Sequence, residues 1–196
     1  MKYNADRHHR RSIRLAGHDY SQPGSYFITV CAYQRECLFG DILNSEMQLN
    51  EDGRIIQDCW LNIPKYFPKI GLDLFVIMPN HIHGILTITG AVGAQFIAPV
   101  LGGVINYPSV TNQRVIKQGA MNCAPTIGNI IRAFKARSTV RINRQQGGNG
   151  MPIWQRNYYE HIVRGEVSLD KIRKYIKNNP AEWAFDKENP NLPTHS

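Results

Sequence analysis

The sequence predicts an α+β fold: an antiparallel sheet of ferredoxin-like or RNA-recognition-motif-like (RRM-like) topology, with helices packed on one face. Three observations carry the prediction. Two apolar, strand-like runs, Leu72–Ile77 and His81–Thr89, are separated by little more than a Pro79-Asn80 turn. Behind the cap residue Thr126, the residues Ile127, Ile130, Ile131 and Phe134 recur at helical spacing. The whole chain then reads as strand, helix, two strands, helix, strand, helix. At 196 residues it is long enough to bury a core in a single domain.

In order, residues 1–24 read as a basic arm carrying Lys2, Arg7, Arg10, Arg11 and Arg14, either of the kind that touches phosphates or a disordered terminus. Tyr26–Cys31 is rich in β-branched and aromatic residues and reads as a strand. Leu38–Leu49 reads as a short hairpin. Asn50 caps a helix that has Glu51 and Asp52 in its first turn. Ile56, Trp60, Ile63 and Phe67 continue at helical spacing, and Pro64 ends or kinks that helix. Residues 90–125 hold five glycines and three prolines, with Arg114 and Lys117 as their only charges, so they read as an insertion in one domain spanning 25–180. Ile153–Val163 reads as a strand with an irregular end. Ser168 caps a last helix, Leu169–Asn179, which Pro180 stops. Residues 181–196 read as a polar tail.

A formal net charge of +8 favours a polyanionic partner, most simply nucleic acid. Arg132, Lys135, Arg137, Arg141 and Arg144 make the Thr126-capped helix basic, and with Arg156 and Arg164 they are the candidate phosphate binders. Tyr33, Trp154 and Tyr158 are candidates for base stacking. No apolar run reaches membrane-spanning length and the opening segment lacks an export-signal core, so a cytoplasmic protein is expected. The four cysteines, Cys31, Cys37, Cys59 and Cys123, form no C-x-x-C pair and read as buried free thiols of a reducing cytoplasm.

The chemistry concentrates in Met78-Pro79-Asn80-His81-Ile82-His83-Gly84. Alternate residues of a strand share a face, so His81 and His83 present two imidazoles side by side, a ready pair of metal ligands. On the last helix Leu169, Ile172 and Ile176 form the apolar stripe. Tyr175 and Asn179 lie one turn apart at its border. An Asn amide oxygen can complete a metal site, and a tyrosine one turn away would stand beside whatever phosphate that metal holds.

Three blocks, F-V-I-M-P-N-H-I-H-G-I-L, I-W-Q-R-N-Y-Y-E-H-I-V-R and K-Y-I-K-N-N-P, stand in order between about Tyr26 and Trp183. Together they resemble the HUH single-tyrosine transposases, in the branch of REP-associated tyrosine transposases. The resemblance implies His81 and His83 as metal ligands, Asn179 as the third ligand, Tyr175 as nucleophile and Mg²⁺ or Mn²⁺ as the cofactor. Many relatives place Gln where Asn179 stands. The implied activity is cleavage and rejoining of single-stranded DNA through a 5′-phosphotyrosine, at hairpins or REP-type palindromes, by a nucleoid-associated monomer or homodimer. Tyr158 and Tyr159 are rival nucleophiles. Glu160 and His161 read as supporting or DNA-contacting residues, with His161 also a candidate base. The alternatives are a non-catalytic RRM-like nucleic-acid-binding module and a domesticated repeat-binding protein.

Overall fold

A computed structural model of the chain describes residues 22–89, 126–148 and 150–192. The basic arm up to residue 21, the 90–125 insertion and Cys123 lie outside the described residues. The elements are β1 (Gly24–Cys31), β2 (Gly40–Leu43), β3 (Glu46–Leu49), α1 (Glu51–Leu61), α2 (Ile63–Tyr66), β4 (Ile70–Met78), β5 (His81–Ile88), α3 (Ile127–Gln145), β6 (Tyr159–Val163) and α4 (Glu166–Asn178). Short 3-10 turns add Tyr33–Arg35 and Trp183–Phe185. Among the described residues, no helix is long and apolar enough to cross a membrane.

The sheet runs β4-β5-β1-β6, antiparallel at every pairing. With β1-α1-β4-β5-α3-β6 as the repeating core, this is the ferredoxin-like arrangement. The β2-β3 hairpin is a two-stranded addition between β1 and α1.

Local chemistry sets the helix boundaries. The Asn50 side chain accepts from the Gly53 amide at 2.9 Å and opens α1. Pro64 falls in the first turn of α2, after α1 has ended at Leu61. The Thr126 hydroxyl accepts from the Asn129 amide at 3.3 Å and opens α3. The start of α4 differs from the expected Ser168 cap. Gly165, at φ 77°, precedes the helix, and Ser168 lies inside its first turn. Only Gly supplies that backbone angle without strain.

The sheet has two buried faces. On one, Tyr26, Ile28, Val30, Ile82 and Leu86 meet Ile56 and Trp60 of α1 and Ile130, Ile131 and Phe134 of α3. Phe27, Leu74 and Ile85 on the other face meet Ile176, Leu169 and Ile172 of α4. The tyrosine-bearing helix therefore packs on the sheet through its predicted stripe, but on the face opposite α1 and α3.

Two local features fix this division. Ideal Cβ geometry at Gly84 would bring a methyl group to 2.4 Å from the Trp60 ring and 3.1 Å from Phe75 Cβ, so only Gly lets the indole lie against the strand. In β4 the register slips by one residue between Leu72 and Phe75, a bulge that leaves both on the α1/α3 face and Leu74 on the α4 face. At the bulge, Asp73 takes a forked pair of bonds from Arg173 of α4, Nε–Oδ1 at 3.1 Å and a terminal nitrogen to Oδ2 at 2.6 Å.

Two expected elements change. Only the end of 153–163 is a strand. Trp154 makes an isolated bridge to Ala32, and its ring is buried between Phe39 and Phe134, with Nε1 donating to Ser138 Oγ at 2.8 Å. This places Trp154 in the core and removes it as a base-stacking candidate. The expected polar tail instead folds back over the sheet, and Asp186 and Glu188 are buried. Of the cysteines expected to be buried thiols, Cys59 is buried, Cys31 is only partly buried and Cys37 is exposed.

Gly84→Ala is predicted to destabilise the protein by about 1–3 kcal/mol, read as a lowered midpoint in denaturant, because the methyl group has no space against Trp60. Burial raises the Asp73 pKa, but the Arg173 bonds and the Leu74 amide outweigh it and hold the carboxyl below its usual 3.8. Arg173→Ala should therefore cost about 1 kcal/mol near neutral pH. That difference is fully present above the ordinary aspartate value and shrinks as pH falls through the depressed one, which a pH series of melts would follow.

Candidate metal and tyrosine site

The β1–β5 register sets His81 opposite Cys31 and His83 opposite Thr29, on the face that α4 covers. Both imidazoles are almost wholly buried. Their ring centroids are 4.4 Å apart. Burial pushes both pKa values down, His81 to about 4 and His83 well below 6.5, the latter helped by the neighbouring His81. Both rings are thus neutral at physiological pH and offer lone pairs.

The tautomer of His81 follows from Asn80. The Asn80 Nδ2 donates to the carbonyls of Arg35 at 3.0 Å and Glu188 at 2.6 Å, which turns Oδ1 toward His81 Nδ1, 2.8 Å away. Nδ1 carries the proton, and Nε2 is left as a bare acceptor. That atom is buried without a hydrogen-bond partner and stands 3.9 Å from Asp186 Oδ2. Two electron-rich atoms face each other with no proton between them, a pairing that a cation relieves.

Asp186 is itself held in place. Its Oδ1 accepts from the Glu188 amide at 2.7 Å and its Oδ2 from Asn179 Nδ2 at 3.0 Å. Ligand atoms of His81, His83 and Asp186 all lie within 4.8 Å of one another, so this group can hold a metal ion. The structure thus adds a carboxylate to the expected set. Asn179 is the α4 C-cap and nine-tenths or more buried; its Nδ2 serves Asp186, while its Oδ1 has no partner among the described residues and remains available as a further oxygen ligand. Nitrogen, carboxylate and amide donors of this kind suit a first-row divalent ion.

Tyr175 completes the site from α4. Its hydroxyl is 3.1 Å from His83 Nε2, while His83 Nδ1 is 2.8 Å from Thr29 Oγ1. Burial, then the Asp186 charge, pushes its pKa up to about 12. Tyr175 is 38 % exposed and lines a cleft of about 660 Å³ together with Phe27, Tyr158, Tyr159, Phe185 and Asp186.

The remaining sequence candidates fall elsewhere. Tyr158 lines the cleft but its hydroxyl donates to Glu160 at 2.8 Å. Glu160 is buried and pairs with Ile28, which places it on the α1/α3 face, away from the histidines. His161 is exposed on the histidine-bearing face, opposite Phe27 and two residues beyond Tyr159. Lys135 turns inward: its Nζ donates to the carbonyls of Gln155 at 2.8 Å and Asn157 at 2.7 Å, and burial lowers its pKa to about 8. It ties down the loop before β6. The Arg137 guanidinium stacks 3.5 Å from the Tyr66 ring centre, and Arg141 pairs with Asp58. Arg132, Arg144, Arg156 and Arg164 are exposed. The helix α3 packs on the sheet face opposite α4, and none of its arginines lines the cleft. The basic residues lining the cleft are Arg35 and Lys187.

Asp186 and Lys187 reach the cleft from the segment expected to be a polar tail. The signal for them was Trp183 and Phe185, two aromatics in a segment read as polar.

No family model matches the chain. The solved structure of a REP-associated tyrosine transposase bound to a REP hairpin aligns with a TM-score of 0.53 and 17% identity, covering 89% of this chain and 76% of that one, a likeness that establishes a shared fold. An uncharacterized protein of Haemophilus influenzae is 45% identical over 186 residues, covering 95% of this chain and 96% of the relative. Identity of this extent along nearly the whole of both chains makes them members of one family, and the chain belongs to the family of that Haemophilus influenzae protein.

Proposed function

We propose that the chain is a metal-dependent single-stranded DNA endonuclease and strand transferase, a transposase of the HUH type, with Tyr175 as nucleophile. The observation that carries this reading is the Tyr175 hydroxyl, 3.1 Å from His83 Nε2 and beside the buried group of His81, His83 and Asp186. The fold shared with a REP-associated tyrosine transposase supports it, and suggests hairpin-containing DNA as substrate.

In this reading His81, His83 and Asp186 would hold the cation, with Asn179 Oδ1 as a further ligand. Asn80 and Thr29 orient the two imidazoles through their Nδ1 atoms. The chemistry that Mg²⁺ or Mn²⁺ would supply there is withdrawal of charge from a non-bridging phosphate oxygen. Tyr175 Oη attacks phosphorus, the P–O3′ bond breaks, and the 5′ phosphate becomes esterified to the tyrosine. As the phenol gives up its proton the departing 3′ oxygen gains one, so the exchange is balanced. The bond energy is kept in the phosphotyrosine, and a 3′-hydroxyl from another strand can reverse the attack. Burial and the Asp186 charge push the phenol pKa up to about 12, so Tyr175 needs help to ionise at neutral pH, and a bound cation would favour its phenolate. His83, in contact with the hydroxyl, fixes its position in the meantime.

Incubation of end-labelled single-stranded hairpin DNA with the protein and Mn²⁺ is expected to yield a denaturant-resistant adduct. Tyr175→Phe should abolish it, while Tyr158→Phe and Tyr159→Phe retain it. An adduct that persists in Tyr175→Phe would move the nucleophile to another residue.

Calorimetric titration with Mn²⁺ tests the ligand set separately. Binding should disappear in a His81→Ala, His83→Ala double variant. Asn80→Ala should weaken it by roughly 10–100-fold, because the ring of His81 loses the acceptor that fixes its tautomer. Unchanged affinity in Asn80→Ala would remove that residue from the site.

A further inference from the structure

Two aromatic residues that line the cleft leave much of their surface in solvent. Phe185 is 83 % exposed and Tyr159 is 48 % exposed, and Tyr175 lines the same cleft. An exposed ring on a loose tail would need no account. Phe185, however, stands on a turn that is fixed from several sides. Its own amide bonds to the Glu182 carbonyl at 2.9 Å, and the Asp186 amide to that of Trp183 at 3.1 Å. Asn189 Nδ2 donates to the Trp183 carbonyl at 3.0 Å. Arg35 pairs with Glu188 at 3.1 Å, and Asp186 is buried against Asn179. The backbone is held while the ring is left in solvent.

Tyr159 is placed by β6, opposite Thr29 on the histidine face. Its ring meets Phe27 edge-on at 6.4 Å, and Phe27 in turn meets Tyr175 edge-on at 6.0 Å and stacks on His83 at 5.3 Å. A continuous row of rings thus leads from the nucleophile to Tyr159. The Lys187 ammonium lies 6.0 Å from the Tyr159 ring centre, and Arg35 also lines the cleft. Exposed aromatic faces interleaved with cations match an unpaired nucleic-acid strand, whose bases have free π-faces and whose phosphates are anionic. A duplex keeps those faces stacked inside. The charge of +8 favours the anionic strand over an apolar peptide.

We propose that Phe185 and Tyr159 form a stacking platform for an unpaired base of single-stranded DNA next to Tyr175, with Lys187 meeting its phosphates. The proposal rests on the reading of Tyr175 as a nucleophile toward single-stranded DNA. The platform holds the nucleotide that adjoins the attacked bond. It selects for an unpaired base rather than for a particular one, since every base has a π-face.

The test uses the full chain in a Tyr175→Phe background and hairpin oligonucleotides with 2-aminopurine moved one position at a time along the single-stranded flank. Quenching at one position is expected. Phe185→Ala and Tyr159→Ala should each abolish that quenching and weaken binding by roughly tenfold or more, whereas Tyr159→Phe should preserve both. An abasic nucleotide at the quenched position should weaken binding to the parent protein and cost nothing further in Phe185→Ala. Such non-additivity is what a merely structural role for the ring would not produce. Unchanged affinity in both alanine variants, or strictly additive losses, overturns the platform. So does a Phe185→Ala variant that alters sedimentation but not DNA affinity, which would assign the ring to contact between copies.

The adduct assay on protein with an intact Tyr175 separates the two readings. An adduct together with unaltered affinity in the alanine variants removes the platform and leaves the nuclease. Non-additive losses without any adduct remove the nuclease and leave the platform on a DNA-binding protein.

Discussion

The site depends on the register between β1 and β5. His81 and His83 stand opposite Cys31 and Thr29, and Ile82 between them points into the α1/α3 core. Side chains alternate along a strand, so a slip of one residue would bury both imidazoles against α1 and expose Ile82 to the other face. The register is set by volume as well as by hydrogen bonds. Trp60 occupies the space that a side chain at position 84 would need, and this happens on the face where His81 and His83 are not. Gly84 thus belongs to the same device as the two histidines: it admits the indole that anchors their strand.

Placing α4 on the opposite face completes the geometry. The apolar residues Leu169, Ile172 and Ile176 hold the helix against Phe27, Leu74 and Ile85, and the Asp73–Arg173 pair limits its rotation about its axis. Tyr175 then meets His83, and Asn179 meets Asp186. The α4 stripe could be read from the sequence because its period is purely local. So could the Asn50 and Thr126 caps, the β4-β5 hairpin and the side-by-side histidines. The face that α4 takes could not, since an amphipathic helix has the same pattern whichever side of a sheet it covers. The β4 bulge was likewise hidden. Leu72-Asp73-Leu74-Phe75 reads as an ordinary apolar strand, and only its pairing with β5 reveals the extra residue.

Charge was the more misleading guide. A row of cations on α3 reads as a phosphate-binding face, yet three of them have protein partners: Lys135 with two loop carbonyls, Arg137 with Tyr66 and Arg141 with Asp58. Sequence spacing cannot tell a cation that neutralises an internal partner from one that awaits an external one. Within the cleft the balance is different. Neutral imidazoles, the Asp186 carboxylate and Glu188 are gathered in a small volume, while Arg35 and Lys187 stand at its lining.

The carboxylate explains why the segment after Pro180 cannot be an inert tail. A buried Asp186 beside two neutral imidazoles is costly unless its charge is met, and the amide of Glu188 and the Asn179 side chain meet only part of it. A cation shared by His81, His83 and Asp186 would meet the rest. Because Asp186 reaches the histidines only when the 183–189 turn is docked, the same cation would stabilise the docked turn, and docking would in turn raise the affinity for the cation. Linkage of this kind needs no contact beyond those already in place. Asn80 couples the two halves directly, since one amide side chain orients His81 through Oδ1 and holds the Glu188 carbonyl through Nδ2. The Met-Pro-Asn-His-Ile-His-Gly block therefore specifies more than two imidazoles: its asparagine ties the strand that carries them to the segment that brings the Asp186 carboxylate.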